Sequence, residues 1–157
     1  MIFLVEDGPH RSLLCSLGIG RKSILVMGSK GDVIRRLKDR PADVGIVDED
    51  PDSIQAQPRE LMNYQEVKRS EGLCILIRRG SGGQRLIVFC PGVEGWLLHR
   101  ARTCGIDPRQ YQLPGTPKEL HAMPRYEQKH GFQRLLAQLN GLDKGMSLLR
   151  QWVFQGA

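Results

Sequence analysis

Three short, nearly pure apolar runs, "IFLV" at 2–5, "SILVMG" at 23–28 and "DVGIVDED" at 43–50, are separated by two stretches with helical spacing. No other feature constrains the chain as much. After the first run, Glu6-Asp7-Gly8-Pro9 reads as a turn. Pro9 suits a first helical turn, and Leu13, Leu14 and Leu17 recur at helical spacing before Gly18 stops the pattern. After the second run, Val33, Ile34 and Leu37 fall on one face and Pro41 follows the end. Strands without polar alternation are buried on both faces. The order strand, helix, strand, helix, strand therefore predicts an α/β, Rossmann-like fold with a mainly parallel central sheet flanked by helices.

Residues 51–71 are polar, rich in Gln, Pro and Arg, and read as a loop with one helical turn. "GLCILIRR" and "QRLIVFC", joined by "GSGG" at 80–83, predict a hairpin; "GSGG" lacks the G-K-[ST] ending of a P-loop. From residue 92 onward the chain reads as helical. Val93, Trp96, Leu97 and Ala101 share a face, and Thr116-Pro117 forms an N-cap and first position. "YEQKHGFQRLLAQLNG" and "KGMSLLRQWVFQ" close the chain. Trp96 and Trp152 lie among leucines as core or interface residues, and "WVFQ" suits an interface helix. A single domain over 1–157 is expected, with a core over 1–105 and a helical extension over 106–157.

With 40% hydrophobic and 25% charged residues, a disordered chain is excluded. The apolar runs are too short to cross a bilayer. The N-terminus meets acids at once without a basic stretch, so a cytoplasmic protein is the default expectation. Cys15, Cys74, Cys90 and Cys104 form no C-x-x-C pair and read as reduced and structural. His10, His99, His121 and His130 lack metal-binding spacings; His10, near Glu6 in sequence, either touches the site or, the favoured reading, is a surface residue at a helix start. The net charge of +6 favours polyanionic partners. Arg35-Arg36 and Arg78-Arg79 read as solvated faces or phosphate contacts.

Against that basic background, the acids gather at strand ends. Glu6 and Asp7 end the first strand, and Asp48, Glu49, Asp50 and Asp52 end the third. Ligands of open α/β sheets bind outside the carboxyl ends of the strands. Asp48 and Asp50 point the same way if the chain stays extended, and Glu49 then points away. Asp52 is a third ligand or, slightly favoured, a turn residue, and Asp43 begins the strand at the surface. Bringing Glu6, Asp48 and Asp50 together is unfavourable unless a cation or a shared proton intervenes. Carboxylate oxygens suit Mg²⁺ or Mn²⁺, which can polarise a phosphodiester. "MGSKGD" is no Walker motif, but a helix start with Ser29 and Lys30 could hold a phosphate.

These residues resemble the Toprim family. Glu6 in "FLVEDG" and the D-x-D of "IVDEDPD" match its strand-end pattern, and Gly28 and Gly31 in "MGSKGD" match the glycines that open its second helix. "LIVFCPGVEGWLLHRA" is similar to a strand, proline and Glu-bearing helix in small stand-alone Toprim proteins and OLD-type nucleases, which implies Glu94 as a further metal ligand. "GTPKEL" resembles a Pro-Lys helix start there, which implies Lys118 as the cation facing the scissile phosphate. Asp7 departs from the family, which commonly has Gly after the Glu. The resemblance implies a Toprim fold with Glu6, Asp48, Asp50, Glu94 and Asp52 at the metal. It implies Mg²⁺-dependent cleavage of nucleic acid, DNA in preference to RNA. It also implies a place in a multi-component system such as anti-phage defence, where an ATPase partner supplies the motif missing here. A homo-oligomer is open. Two alternatives stay open as well: a phospho-receiver domain, although the receiver hydroxyl and lysine are absent, and a catalytically inactive adaptor subunit.

Overall fold

The computed structural model describes residues 1–54 and 57–155. Six strands form one sheet: β1 (Phe3–Val5), β2 (Ile24–Val26), β3 (Val44–Asp48), β4 (Tyr64–Ser70), β5 (Leu73–Arg78) and β6 (Arg85–Phe89). Their order is β2-β1-β3-β6-β5-β4. The β2–β1, β1–β3 and β3–β6 pairs are parallel, and the β6–β5 and β5–β4 pairs are antiparallel. The helices are α1 (Gly8–Ser16), α2 (Lys30–Leu37), α3 (Val93–Thr103), α4 (Pro117–Ala122), α5 (His130–Leu142) and α6 (Lys144–Gln155). This is the expected mostly parallel α/β sheet flanked by helices, with the β5–β6 hairpin and the C-terminal helices also in place.

The chain steps from β1 outward to β2, then back past β1 to β3. Right-handed crossovers then require α1 and α2 on opposite faces. Packing agrees. Leu13, Leu14 and Leu17 of α1 share a core with Phe3, Val5, Ile46, Phe89 and the C-terminal helices. Val33, Ile34 and Leu37 of α2 share the other core with Leu4, Val47, Leu86 and Val88. Gly45 permits that second contact, because a Cβ there would lie 2.9–3.0 Å from Leu86, Leu37 and Val33. The helices diverge between β1 and β3, which is the switch point where a crevice opens beyond the strand ends.

The C-terminal helices belong to this core. Trp152 and Leu149 of α6 and Phe132 of α5 are buried in the same cluster as β1. Buried Arg100 of α3 clamps Asp143, which heads α6, at 2.9 Å and Glu71 at 2.9 Å. Arg85 donates from Nη1 to the Trp152 carbonyl at 2.9 Å.

Three local readings are corrected. The segment expected to be a loop contains a 3-10 turn at Arg59–Asn63 and then strand β4; its residues 55 and 56 lie outside the described residues. β4 escapes a hydrophobicity pattern because it is an exposed edge, and such edges carry charge and bulges, here between Glu66 and Lys68. Asp43 is buried, not at the surface. It accepts the Ile2 N–H at 2.9 Å and pairs with Arg40 Nε at 2.6 Å, pinning the start of β1. β2 is an edge strand, so Leu25 and Val26 stay partly exposed.

Candidate functional site

The registers Val5↔Ile46 and Asp48↔Phe89 bring the carboxyl ends of β1, β3 and β6 to one edge. Every acid expected at the strand ends lies along this edge or the turn beyond it. There all but Glu49 and Asp52 divide into two groups.

The first group surrounds His10. Asp7 caps α1 in an extended conformation, and its Oδ1 accepts the His10 backbone N–H. The cap sets the His10 side chain back across the strand ends. Its Nδ1 lies 2.6 Å from Asp7 Oδ1 and its Nε2 2.8 Å from Asp48 Oδ1. The ring is fully buried and tilts against Phe89, with 5.6 Å between ring centroids. Burial opposes a charge on the ring, but the hydrogen bonds to Asp48 and Asp7 and their negative charges outweigh it, pushing the imidazole up to about 10. At neutral pH both ring nitrogens therefore donate. Burial pushes Asp7 upward, but the His10 hydrogen bonds and charge win and hold it below the ordinary range. Asp48 Oδ1 also accepts the Val93 N–H, the first of α3, at 3.0 Å.

Glu94, one residue further into α3, is buried, and its Oε1 lies 2.9 Å from His121 Nδ1 of α4. Glu94 and, more weakly, Asp7 and Asp48 raise His121. The Tyr126 hydroxyl is raised by burial and by the charge of Glu94. Glu94, Asp48 and Asp7 thus act on the same groups.

The second group faces a cleft of about 410 Å³ lined by Glu6, Ser29, Lys30, Arg35, Asp50 and Gln57 among others. Glu6 Oε1 accepts the Asp48 N–H at 2.7 Å. Burial, reinforced by the charges of Asp48 and Asp7, overcomes that bond and raises Glu6 to about 7. Lys30 donates to the Glu49 carbonyl at 2.9 Å. Burial lowers its pKa, although Glu6, Asp50, Asp48 and Glu49 all pull the other way. Ser29 caps α2 by accepting the Asp32 N–H, so the helix starts at the cleft wall.

The two groups separate because the chain does not stay extended. Asp50 has a φ of +49°, and its N–H donates to the Pro91 carbonyl at 2.9 Å. That bond turns Asp50 toward Lys30, while Asp48 faces His10 and α3. Glu49 lies 3.7 Å from Arg69, away from both groups. Asp52 is exposed in the turn, and Lys118 is exposed in the first turn of α4; among the described residues neither makes a side-chain hydrogen bond or ion pair.

Among the described residues no three His, Cys, Asp or Glu side chains converge as a ready metal site. The donor chemistry of the cleft still fits a hard cation. Mg²⁺ is commonly held by one or two carboxylates, with waters and substrate phosphates completing its shell. Glu6 and Asp50 supply two carboxylates in one cleft, and the burial that raises Glu6 is the penalty a nearby cation removes.

His121 is the residue that the sequence reading missed, and His10 belongs to the site against the favoured surface reading. Asp7-x-x-His10 at a helix start is the signal that could have found His10, since it places a ring over its own cap. His121 pairs with a residue 27 positions away, and no local pattern announces it. No family model, curated protein or solved structure matches the chain.

Proposed function

We propose that the carboxyl edge of the parallel strands is a Toprim-like, Mg²⁺- or Mn²⁺-dependent nuclease site that hydrolyses phosphodiester bonds in DNA. The observation that carries the reading is the cleft that Glu6 and Asp50 line together with Lys30 and Arg35. Two carboxylates beside two cations at a helix start suit a cation and a phosphate together. The divalent ion, when bound, supplies Lewis-acid polarisation of the phosphoryl group and stabilises the leaving oxygen.

The chain's own residues divide the remaining work. Glu6 and Asp50 hold the cation, and Asp48, fixed through its Oδ1, backs Glu6 with its N–H. Lys30 and Arg35 hold the phosphate. Glu94, steadied by His121, takes a proton from the attacking water on the α3 side. Lys118, three residues before His121 on α4, meets the transition-state charge. An ATPase partner in a defence system completes the proposal, since the chain carries no phosphate-binding motif for ATP.

One observation favours a second, binding-only reading: the Asp48 carboxylate is already neutralised by His10. Supercoiled plasmid incubated with the chain separates the two. The nuclease reading expects nicking that requires Mg²⁺ or Mn²⁺. It also expects Glu6→Gln and Asp50→Asn each to lower the rate by roughly a hundredfold or more, the scale of losing one electrostatic group in the transition state. Absence of nicking by a folded chain that still retains DNA would leave the adaptor reading.

A further inference from the structure

The cleft of Glu6 and Asp50 has a neighbour that the proposed chemistry does not use. A cavity of about 270 Å³ lies on the α2 face of the sheet, under the segment that leads into β4. Its floor is aliphatic, with Leu76 from β5 and Leu86 and Val88 from β6, and Leu61 forms a wall. Its rim is polar. Arg69 Nη2 donates to Glu66 at 2.8 Å, and the Cys74 thiol donates to Glu66 at 2.9 Å. Two residues, Lys30 and Gln57, line both this cavity and the cleft.

We propose that this chamber receives the nucleobase of the nucleotide whose phosphate lies at Lys30. A nucleotide carries an anion at one end and a flat, weakly polar ring at the other. Cleft and chamber offer the matching chemistries on either side of Lys30. The volume falls below the range of about 300–1,000 Å³ typical of a whole small-molecule site, so it suits one ring system. The aliphatic floor buries the ring face, and the Arg69 guanidinium offers a plane to stack on. The Glu66 carboxylate at the rim favours bases with an exocyclic amino group over thymine.

The inference rests on the cleft being a phosphodiester site, and its test separates the two. The full chain is titrated calorimetrically with inorganic phosphate, 2-deoxyribose 5-phosphate, dTMP, dCMP, dAMP and a (dC)₆ oligonucleotide. The expected result is that dCMP and dAMP bind about tenfold tighter than deoxyribose 5-phosphate, with dTMP between them. Methyl resonances of Leu76, Leu86 and Val88 shift with dCMP and not with phosphate. Leu61→Trp, on the half-exposed wall, removes the gain and leaves deoxyribose 5-phosphate binding unchanged. Tighter binding of (dC)₆ than of dCMP assigns the chamber to a strand, and the reverse order to free nucleotides; both support it. Equal affinity with and without a base, no binding at all, or methyl shifts confined to other residues overturns it. Base-dependent binding without plasmid nicking sinks the nuclease reading and leaves this one standing, whereas nicking without base-dependent binding does the opposite.

Discussion

The same sheet edge solves the problem of crowded carboxylates in two ways. Around His10, the chain supplies its own cation: an imidazolium sealed between Asp7 and Asp48. At the cleft, burial outweighs the Asp48 N–H that Glu6 accepts and the charge of His10, so the Glu6 proton is held up to about neutral pH. One pole holds its cation buried between its own carboxylates, while the other opens to a cleft whose lining mixes Glu6 and Asp50 with Lys30 and Arg35. The contrast is what the proposal of a cation at the cleft rests on, with Asp48 held instead by His10 and the Val93 N–H.

The most direct way to break this comparison is to remove the internal cation. His10→Ala leaves two carboxylates facing each other in a partly buried space, with neither the charge nor the ring that separated them. Losing one member of a buried ionic group costs about 3–5 kcal/mol, and Asp7, half open to water, sets the expectation at about 3 kcal/mol. Urea unfolding of both proteins at pH 7 measures the difference. A loss under about 1 kcal/mol would mean that the imidazolium compensates nothing. Adding Mg²⁺ sharpens the result. Stabilisation of His10→Ala by Mg²⁺ beyond that of the parent would show that the Asp48 pole can also take a metal, and the two poles would differ only in which cation they hold.

A smaller effect separates the poles by pH. The folded-state pKa of His10 lies above its ordinary 6.5, at about 10, so its contribution to stability is fully present below 6.5 and lost as pH rises toward 10. Glu6 is also raised, from 4.5 to about 7, so it erodes stability over a lower window, between those two values. Stability should therefore fall through both windows as pH rises. Within the upper one the slope approaches about 1.4 kcal/mol per pH unit, the limit for one proton. Unfolding free energies from pH 5 to 10 test this. His10→Gln should flatten the slope above pH 7, and Glu6→Gln the slope below it. A slope above pH 7 that survives His10→Gln would belong to another group.

Much of this fold was legible because it is local. Short apolar runs, a proline at a helix start and a glycine after a helix each act within a few residues, and together they dictate β1 to β3 with the helices between. The position of the acids followed from topology, because parallel strands deliver Glu6 and Asp48 to one edge. What stayed hidden depends on distant partners. His10 reads as a surface histidine until Phe89 and the start of α3, some 80 residues away, close over it. Asp50 reads as a continuation of β3 until the Pro91 carbonyl captures its N–H and turns it left-handed. β4 carries Glu66, Lys68 and Arg69 on an exposed edge, so it exists because β5 pairs with it, and not because its own residues seek burial.

The smallest predicted effect checks that proximity in sequence does not decide membership of either pole. Glu49 sits between Asp48 and Asp50 and carries the same charge, yet its carboxylate turns to the exposed Arg69, at 3.7 Å, and to the Cys90 thiol. A pair that is long and open to water contributes between about 0 and 1 kcal/mol and weakens with salt. What the site uses from this residue is its carbonyl, which accepts from Lys30 and survives substitution of the side chain. Glu49→Gln should therefore change stability by less than about 0.5 kcal/mol and leave metal-dependent nicking within about twofold of the parent. A loss of nicking comparable to that of Asp50→Asn would place Glu49 at the cation. The division of the edge into a self-neutralised pole and an open one would then have to be redrawn, with the turn after β3 contributing both of its acids to the cleft.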